Sequence, residues 1–254
     1  MRRRKYGLLL DARYAEGFDP RTWIYEHIRK LPHCIRPISF GNRDAELVNP
    51  FREKSIDDVA AFREYVFDEK SWLCFFGKSF SMVFHAYTKV PSTLDVYADA
   101  DFEPHCSMLL STLDRGQAAW GAAGMDVELE ARNFLQVETE YAPGGFATGW
   151  RGRDHRRYVP GLYWLNYWSY GLIKLHGLDA TLVATVLGGT VSPLAHGVLI
   201  QLYDRAADWQ QRAPAVDAFL EASPNFFSMR RVKVPRLQTP MDTHKLTKLA
   251  KDWP

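Results

Sequence analysis

The chain of 254 residues is 46% hydrophobic and 14% aromatic, with eight Trp, which excludes a disordered protein and predicts a large buried core. Its formal net charge of +2 hides a segregation, because residues 90–142 carry two basic and ten acidic side chains, whereas residues 229–254 carry seven basic and two acidic ones. The acidic middle argues against a nucleic-acid surface there and favours a basic partner.

The cysteine content and the first residues bear on the compartment. Three cysteines are too few, and odd in number, for a disulfide framework, which suits a reducing compartment. The basic start Met1–Lys5 resembles the first part of a signal peptide, but the apolar stretch behind it ends at Asp11 and is too short. The longest uncharged stretch, residues 180–203, contains Gly188-Gly189 and Ser192-Pro193, which favours strands over a membrane span. We therefore predict a cytoplasmic protein that does not contact a membrane.

The first elements of the chain are a short strand and two amphipathic helices. Residues 6–10 are apolar and predict a strand. Asp19 ahead of Pro20 predicts the start of a helix, because an acidic cap followed by a first-turn proline is typical of a helix N-terminus. Ser55 with Asp58 resembles a capping box in front of a second helix.

The middle of the chain predicts three strands and one helix. Residues 79–87 are a strand candidate, and residues 94–99 alternate apolar and polar side chains, as a half-buried strand does. Residues 106–120 keep helical spacing, and the glycines that follow close the predicted helix. Residues 126–131 alternate strictly and predict a strand with one negative, solvated face.

A similar order recurs in the second half. Residues 181–187 and 198–203 predict strands, residues 214–221 predict a helix, and residues 226–234 predict a last strand. Strand, strand, helix and strand therefore occur twice along the chain.

These elements predict the fold class and the domain organisation. We expect one α+β domain over residues 1–254, with mostly antiparallel sheet flanked by amphipathic helices. Residues 1–141 and 161–234 are candidate related sub-halves, joined by a Gly/Arg-rich connection over 142–160. Residues 235–254 contain prolines and lysines and predict a tail along the surface.

The most unusual segment is an aromatic stretch, Tyr163–Tyr170, with five aromatic side chains in eight residues. Core packing is the favoured interpretation, while a partner surface and a platform for a small molecule are the alternatives.

Motifs of nucleotide-binding and hydrolytic enzymes are absent from the sequence, so we predict a protein that is not an enzyme and needs no cofactor. Four arginines in the Gly/Arg-rich connection could bind an anion such as a phosphate, although a solvated connection is favoured; they are Arg151, Arg153, Arg156 and Arg157. The two His-Cys dipeptides do not have the spacing of a zinc site, and we predict no metal.

Three carboxylates lie at period two in the predicted strand over 126–131, and they are Asp126, Glu128 and Glu130. A solvated face, an acidic docking surface and a Mg²⁺ site are the three interpretations, in that order.

Residues 161–169, the turn at His176-Gly177 and the strand over 197–202 carry a family resemblance. The chain resembles bacterial immunity proteins of polymorphic-toxin and type VI secretion systems, in particular the α+β family encoded beside restriction-endonuclease-like toxins. The resemblance implies a cytoplasmic protein of bacterial competition that neutralises a cognate toxin by stoichiometric binding and has no catalytic residues. It predicts neither a nucleic-acid partner nor an oligomeric state.

A nuclease toxin that binds phosphate is expected to be basic, so its inhibitor gains association rate from an acidic surface. The candidate residues for that surface are Asp95, Asp99, Asp101, Glu103, Asp126, Glu128 and Glu130. Two alternatives remain: an enzyme or ligand-binding protein that handles a phosphorylated or nucleotide substrate through residues 151–157, and an assembly module that pairs through its aromatic stretch.

Overall fold

The computed structural model describes residues 7–15, 18–41, 53–68, 72–85, 92–115, 117–138, 146–150, 155–156 and 158–226. The strands in this part of the chain are β1 Leu8–Tyr14, β2 Ser39–Phe40, β3 Lys54–Ser55, β4 Trp72–Phe76, β5 Phe80–His85, β6 Thr93–Ala98, β7 Ala118–Met125, β8 Phe134–Glu138, β9 Phe146–Trp150, β10 Leu165–Ser169, β11 Thr190–Pro193 and β12 Gly197–Gln201. The α-helices are α1 Pro20–His27, α2 Val59–Asp68, α3 Cys106–Arg115, α4 Asp126–Asn133, α5 Tyr170–His176, α6 Ala180–Leu187 and α7 Trp209–Ala222. Short 3-10 helices cover Ile28–Lys30, Ala100–His105 and Ala206–Asp208.

Ten of the strands form one sheet in the order β11-β12-β10-β7-β1-β6-β5-β4-β2-β3, and β8 pairs with β9 in a separate hairpin. Every pair of neighbours in the large sheet is antiparallel. The predicted α+β class with mostly antiparallel sheet is therefore confirmed. The sheet takes strands from both predicted sub-halves, and the proposed relation between those sub-halves stays a prediction.

One face of the sheet is covered by α1, α2 and α3. The ring of Phe62 in α2 lies 6.2 Å from that of Phe75 in β4, and Trp23 in α1 lies 6.5 Å from Phe84 in β5. On α3, the side chain of Leu110 fills the space beside Gly121 of β7. A large, mainly aromatic and aliphatic core results, and its burial is the main favourable term in folding.

The predicted helix starts are confirmed, with one shift in the capping residue. The Asp19 side chain accepts a hydrogen bond from the backbone N–H of Arg21 at 2.9 Å, as an N-cap does. At the start of α2 the cap is Asp58, which accepts from Ala61 N–H at 3.1 Å, whereas Ser55 belongs to β3. Asp58, predicted as the second residue of a capping box, is thus itself the N-cap of α2.

The prediction of a strand over residues 126–131 is wrong, because these residues lie in α4. Glu128 and Leu129 are both buried, while Val127 is 48% exposed. Two consecutive residues are therefore buried after an exposed one. A strand, in which successive side chains point to opposite faces, does not give this pattern, whereas a helix does. A short run of alternating polar and apolar residues is compatible with the period of a strand and with that of a helix.

The prediction of a strand over residues 181–187 is also wrong, because the segment is helix α6. Its caps are clear in the structure: the Asp179 side chain accepts from Leu182 N–H at 2.9 Å, and Gly188 ends the helix in the left-handed conformation at φ +70°. An acidic N-cap and a glycine C-cap are helix signals, and they outweigh the β-branched composition between them.

The helix predicted over residues 106–120 is too long. Helix α3 ends at Arg115, Gln117 adopts a positive φ of 55°, and Trp120 is fully buried in the central strand β7. The left-handed residue turns the chain from the helix into the sheet, which periodicity does not reveal.

The remaining predictions fall partly outside the described residues. Of the predicted strand over 226–234, only Phe226 is described, in a parallel bridge with Val159. The Gly/Arg-rich connection contains the strand β9, which was not predicted, and the tail over 235–254 lies outside the described residues. None of the described helices is long and apolar enough to cross a membrane.

The aromatic stretch lies mainly in the core, as favoured. Tyr163, Tyr167 and Trp168 are fully buried and Trp164 is 4% exposed, whereas Tyr170 at the start of α5 is 47% exposed. Strand β10 therefore contributes large rings to the packing between β7 and β12.

Gly197 and Gly171 offer a matched test of this packing. A Cβ on Gly197 would overlap the carbonyl oxygen of Trp168 in the adjacent strand, whereas a Cβ on Gly171 would meet nothing closer than the Ser169 hydroxyl at 3.7 Å. We expect Gly197→Ala to lower the free energy of unfolding by about 1–3 kcal/mol. Gly171→Ala, in a helix, should leave it unchanged or raise it by up to about 1 kcal/mol. Urea unfolding of both variants measures the difference, and equal stabilities would contradict the close strand contact.

Candidate functional site

A cleft of about 630 Å³ opens between the 3-10 helix Ala100–His105 and the chain that enters β10 and leaves β12. Three carboxylates line it, from Asp101 and Glu103 on one side and Asp204 on the other. Trp164, Leu165 and Gln201 contribute to its walls. We call this feature the acidic cleft.

The 3-10 helix presents its acids because one aromatic side chain holds it against the sheet. Phe102 is fully buried and its ring lies 4.7 Å from that of Phe80 in β5. The neighbouring Asp101 is consequently directed to solvent, and Asp99, which precedes the helix, is also exposed. The backbone N–H of Phe102 donates to the Asp99 carbonyl at 2.9 Å, which closes the first turn.

The two sides of the acidic cleft are tied together. The Glu103 carboxylate, which is half-buried, accepts a hydrogen bond from the backbone N–H of Ala206 at 3.3 Å. On the second side, the Gln201 amide donates to the carbonyls of Tyr203 and Asp204 at 3.1 and 3.3 Å and fixes the turn after β12. The acidic residues of the cleft therefore lie on segments that hydrogen bonds hold in place.

Arg205 follows Asp204 and is the basic residue next to this turn. Its guanidinium lies 3.0 Å from the carboxylate of Asp208 and also interacts electrostatically with Glu103 and Asp204. Arg205 therefore offsets part of the negative charge of the cleft.

Trp164 is held by its backbone. Its carbonyl accepts a hydrogen bond from Leu202 N–H at 2.9 Å, and its backbone lies near enough to the buried carboxylate of Glu128 to oppose the rise in the pKa of that group. The side chain is 4% exposed. The wall of the acidic cleft is thus fixed by a hydrogen bond to the residue that follows β12.

Behind that wall, Glu128 is the centre of a buried polar network. The Tyr203 hydroxyl donates to its carboxylate at 2.5 Å, and Arg132 lies one helical turn away with Nε at 3.7 Å. Arg132 also donates to the Leu162 carbonyl at 2.7 Å and lies 3.6 Å from Asp217 of α7. Burial raises the pKa of Glu128 to about 7, although Arg132 and the hydrogen bonds partly oppose the shift.

The predicted acidic residues do not form one continuous surface. Asp101 and Glu103 lie together in the acidic cleft, with Asp99 beside it. Glu128 is fully buried, so its assignment to an exposed surface is wrong; the cause is the helical rather than extended conformation of its segment. Asp126 is half-buried and its carboxylate accepts from the backbone N–H of Val127 at 2.7 Å.

Asp95 is half-buried in the sheet. Its carboxylate is 3.2 Å from His85 Nε2 on β5, and its Cα is paired with that of Asp11 on β1. Asp11 is fully buried, and burial holds the pKa of its carboxyl well above the usual range. Asp11 is therefore part of the interior of the fold, whereas the side chain of Asp95 keeps part of its surface in solvent.

The other predicted residues have less defined positions. The side chain of Glu130 lies outside the described residues, as do Arg151, Arg153 and Arg157. Arg156 is exposed. The anion site in the Gly/Arg-rich connection stays a prediction. Within the described residues, no group of three or more His, Cys, Asp or Glu side chains is arranged to hold a metal ion.

The contributions of Asp204 and Gln201 to the site were not predicted, whereas Trp164 belongs to the aromatic stretch for which a partner surface was one interpretation. Asp204 belongs to an Asp-rich turn that the sequence does reveal, but its position opposite Asp101 depends on pairing between β10 and β12. A carboxylate about a hundred positions away in the chain cannot be assigned to the same cleft from local pattern.

Fold and cleft together define an α+β protein with an acidic cleft at one end of its sheet strands. No family model and no curated protein matches the chain. Among solved structures, the chain is similar to a T6SS protein of Pseudomonas aeruginosa, PA0821, at 12% sequence identity and a TM-score of 0.49. The similarity covers 83% of this chain and 75% of the other.

Replacing Glu128 by Gln tests the buried network through the pH dependence of stability. The pKa of Glu128 is about 7 in the folded protein, and its ordinary value is 4.5. Glu128 therefore stabilises the fold most below pH 4.5, where it is protonated in both states, and this contribution is lost as pH rises through 7. Between pH 5 and 8 the wild type should therefore lose roughly 2–3 kcal/mol of unfolding free energy relative to Glu128→Gln.

Urea titrations at several pH values measure this difference. The matched control is Glu64→Gln, an exposed residue of α2, whose stability should run parallel to that of the wild type. A constant difference between wild type and Glu128→Gln over this range would show that Glu128 is ionised throughout.

Proposed function

We propose that this protein is an immunity protein that binds a cognate, basic bacterial toxin in the cytoplasm and neutralises it by stoichiometric inhibition. The acidic cleft is the docking site for that toxin. The observation that carries the proposal is the presence of Asp101, Glu103 and Asp204 around one concave, solvent-open feature, with Asp99 at its side.

Electrostatics support a basic partner. Opposite potentials on two surfaces raise the association rate and disfavour partners of the same charge. A nuclease presents positive charge because it must bind phosphate, and the same charge makes it a target for an acidic inhibitor. The resemblance of residues 161–202 to immunity proteins of polymorphic-toxin and type VI secretion systems supports the same class of partner.

The rigidity of the cleft supports inhibition by tight binding. Its walls are held by hydrogen bonds in which Glu103 and the Trp164 carbonyl accept and the Gln201 amide donates. A surface that is already ordered loses less conformational entropy when a partner docks, so more of the contact energy is available for affinity.

Charge reversal in the acidic cleft tests the docking site. We expect the double variant Asp101→Arg/Asp204→Arg to weaken binding to the toxin encoded beside this gene at least about tenfold, because two attractive contacts become repulsive. Protection of cells that express the toxin should fall in parallel. Both residues are exposed, so the variant is expected to fold.

The control is Glu64→Arg, which reverses one exposed charge on α2, outside the cleft. Glu64→Arg should protect as the wild type does. Full protection by the double variant would exclude the acidic cleft as the docking site, and full growth of cells expressing the toxin alone would exclude the immunity function.

The salt dependence of association provides a second test. The association rate of the wild type with the toxin should fall steeply as NaCl rises from about 50 to 300 mM, because salt screens attraction between exposed charges. Stopped-flow measurements give the slope, which should be smaller for the double variant than for Glu64→Arg. Equal slopes for these proteins would assign the steering to other charges.

A further inference from the structure

Cys34 and Met108 bring two sulfur atoms together at the surface of the protein. The Cys34 Sγ lies 3.8 Å from the Met108 Sδ, although the two residues are 74 positions apart in the chain. Cys34 is half-buried, and Met108 is 41% exposed. A small ion in solvent can therefore reach the pair.

Both sulfur atoms belong to parts of the chain that are held in place. Cys34 lies in a tight turn, which a hydrogen bond from Ile35 N–H to the Pro32 carbonyl closes at 2.9 Å, and Ile35 is fully buried. Met108 lies on α3, where the next residue, Leu109, is part of the core. The pair is thus formed on folding, which lowers the entropic cost of bringing two ligands to one ion.

The separation of the two sulfur atoms suits ligands of a single metal ion. A metal–sulfur bond is about 2.3 Å long, and two such bonds that meet at about 110° place their sulfur atoms about 3.8 Å apart. This is the distance between Cys34 Sγ and Met108 Sδ, so an ion can bind both without a rearrangement of either segment. Ordinary packing gives a similar distance. The chemistry of the two ligands therefore has to identify the ion.

The ligand types select a soft, monovalent ion. Thiolate and thioether ligands select Cu(I), whereas carboxylate, carbonyl and water oxygens suit Mg²⁺, Ca²⁺ and Mn²⁺. The Cys34 thiolate carries one negative charge and the Met108 thioether none, so their complex with Cu(I) is neutral. A structural Zn²⁺ site takes four Cys or His ligands, and the described part of the chain holds no group of even three His, Cys, Asp or Glu side chains arranged for a metal.

Cys106 is closer to Met108 in sequence but is not a ligand. It is 1% exposed, and its Sγ lies 3.7 Å from the Phe102 carbonyl. Burial raises the pKa of its thiol to about 12, so the thiol stays protonated. The first of the two His-Cys dipeptides therefore supplies the thiol, and α3, which begins within the second dipeptide, supplies the thioether.

We propose that Cys34 and Met108 form a binding site for Cu(I), in which the Cys34 thiolate and the Met108 thioether hold one ion. Binding displaces the thiol proton of Cys34, which passes to solvent. The site is distinct from the acidic cleft, since neither residue lines that cleft, and its existence does not depend on the proposed function.

The test uses the full-length, reduced protein with ¹³C-labelled methionine methyl groups. Cu(I) is added without oxygen in competition with bicinchoninate, and Ag(I), which air does not oxidise, is added in a parallel titration. The Met108 methyl resonance is assigned by its loss in Met108→Leu, and the buried Met82 reports on the fold. We expect the Met108 resonance to shift and to saturate at one equivalent of either ion, with much weaker binding of Zn²⁺.

Conservative variants separate this site from the general affinity of sulfur for Cu(I). Met108→Leu should weaken Cu(I) binding at least about tenfold, because loss even of a group that only supports a ligand costs about 10–100-fold in affinity. Cys34→Ser should abolish the response of the Met108 methyl group. The controls Met125→Leu and Cys74→Ser change a half-buried methionine of β7 and a half-buried cysteine of β4, and both should bind as the wild type does.

Four results would overturn the inference: no response of the Met108 methyl group to one equivalent of Cu(I), equal affinity for Zn²⁺, wild-type affinity in Met108→Leu, or equal losses in Cys34→Ser and Cys74→Ser. Wild-type affinity in Met108→Leu would mean that the Cys34 thiol alone binds the ion. Equal losses in the two serine variants would mean that cysteine content, not this pair, determines binding. The immunity function is tested separately, by charge reversal in the acidic cleft.

Discussion

The carboxylate of Glu128 joins parts of the molecule that are distant in sequence. It accepts a hydrogen bond from the hydroxyl of Tyr203, after β12, and lies near the backbone of Trp164, ahead of β10, while Arg132 links it to α7 through Asp217. Its approach to the sheet requires a glycine, because a Cβ on Gly124 of β7 would overlap the Glu128 carboxylate. Removing one partner of such a network leaves the others buried and unpaired, which costs more than the network contributes when it is complete.

This network and the acidic cleft share the same pieces of chain. Trp164 lines the cleft and its backbone lies near Glu128, and Asp204 directly follows Tyr203, whose hydroxyl donates to Glu128. The positions of the exposed Asp204 carboxylate and of Trp164 therefore depend on the buried carboxylate of Glu128. A rigid acidic frame of this kind is suited to binding, since its order is established on folding and not at the moment of association.

Local signals in the sequence predicted a large share of the fold. The caps Asp19 and Asp58 are visible as residue types, and the alternation of residues 94–99 is that of the strand β6. Where only periodicity was available, a short segment was ambiguous, as at α4. At α6 the caps Asp179 and Gly188 are local signals, and the β-branched composition between them led to the wrong prediction. The cleft was predicted in part: Asp101 and Glu103 follow from the acidic middle of the chain, whereas Asp204 required the pairing of β10 with β12.

The acidic middle of the chain also shows why net charge overstates an electrostatic surface. Asp95 and Glu128 contribute to the formal charge of residues 90–142, yet one lies against His85 in the sheet and the other is fully buried beside Arg132. A carboxyl group with a raised pKa, such as Glu128, is partly neutral near pH 7 and adds little to the field outside. The potential that a partner meets therefore comes from the exposed acids around the cleft. An acidic composition becomes a recognition site only where the fold leaves its carboxylates in solvent and holds them in place, and here the 3-10 helix and the turn after β12 meet both conditions.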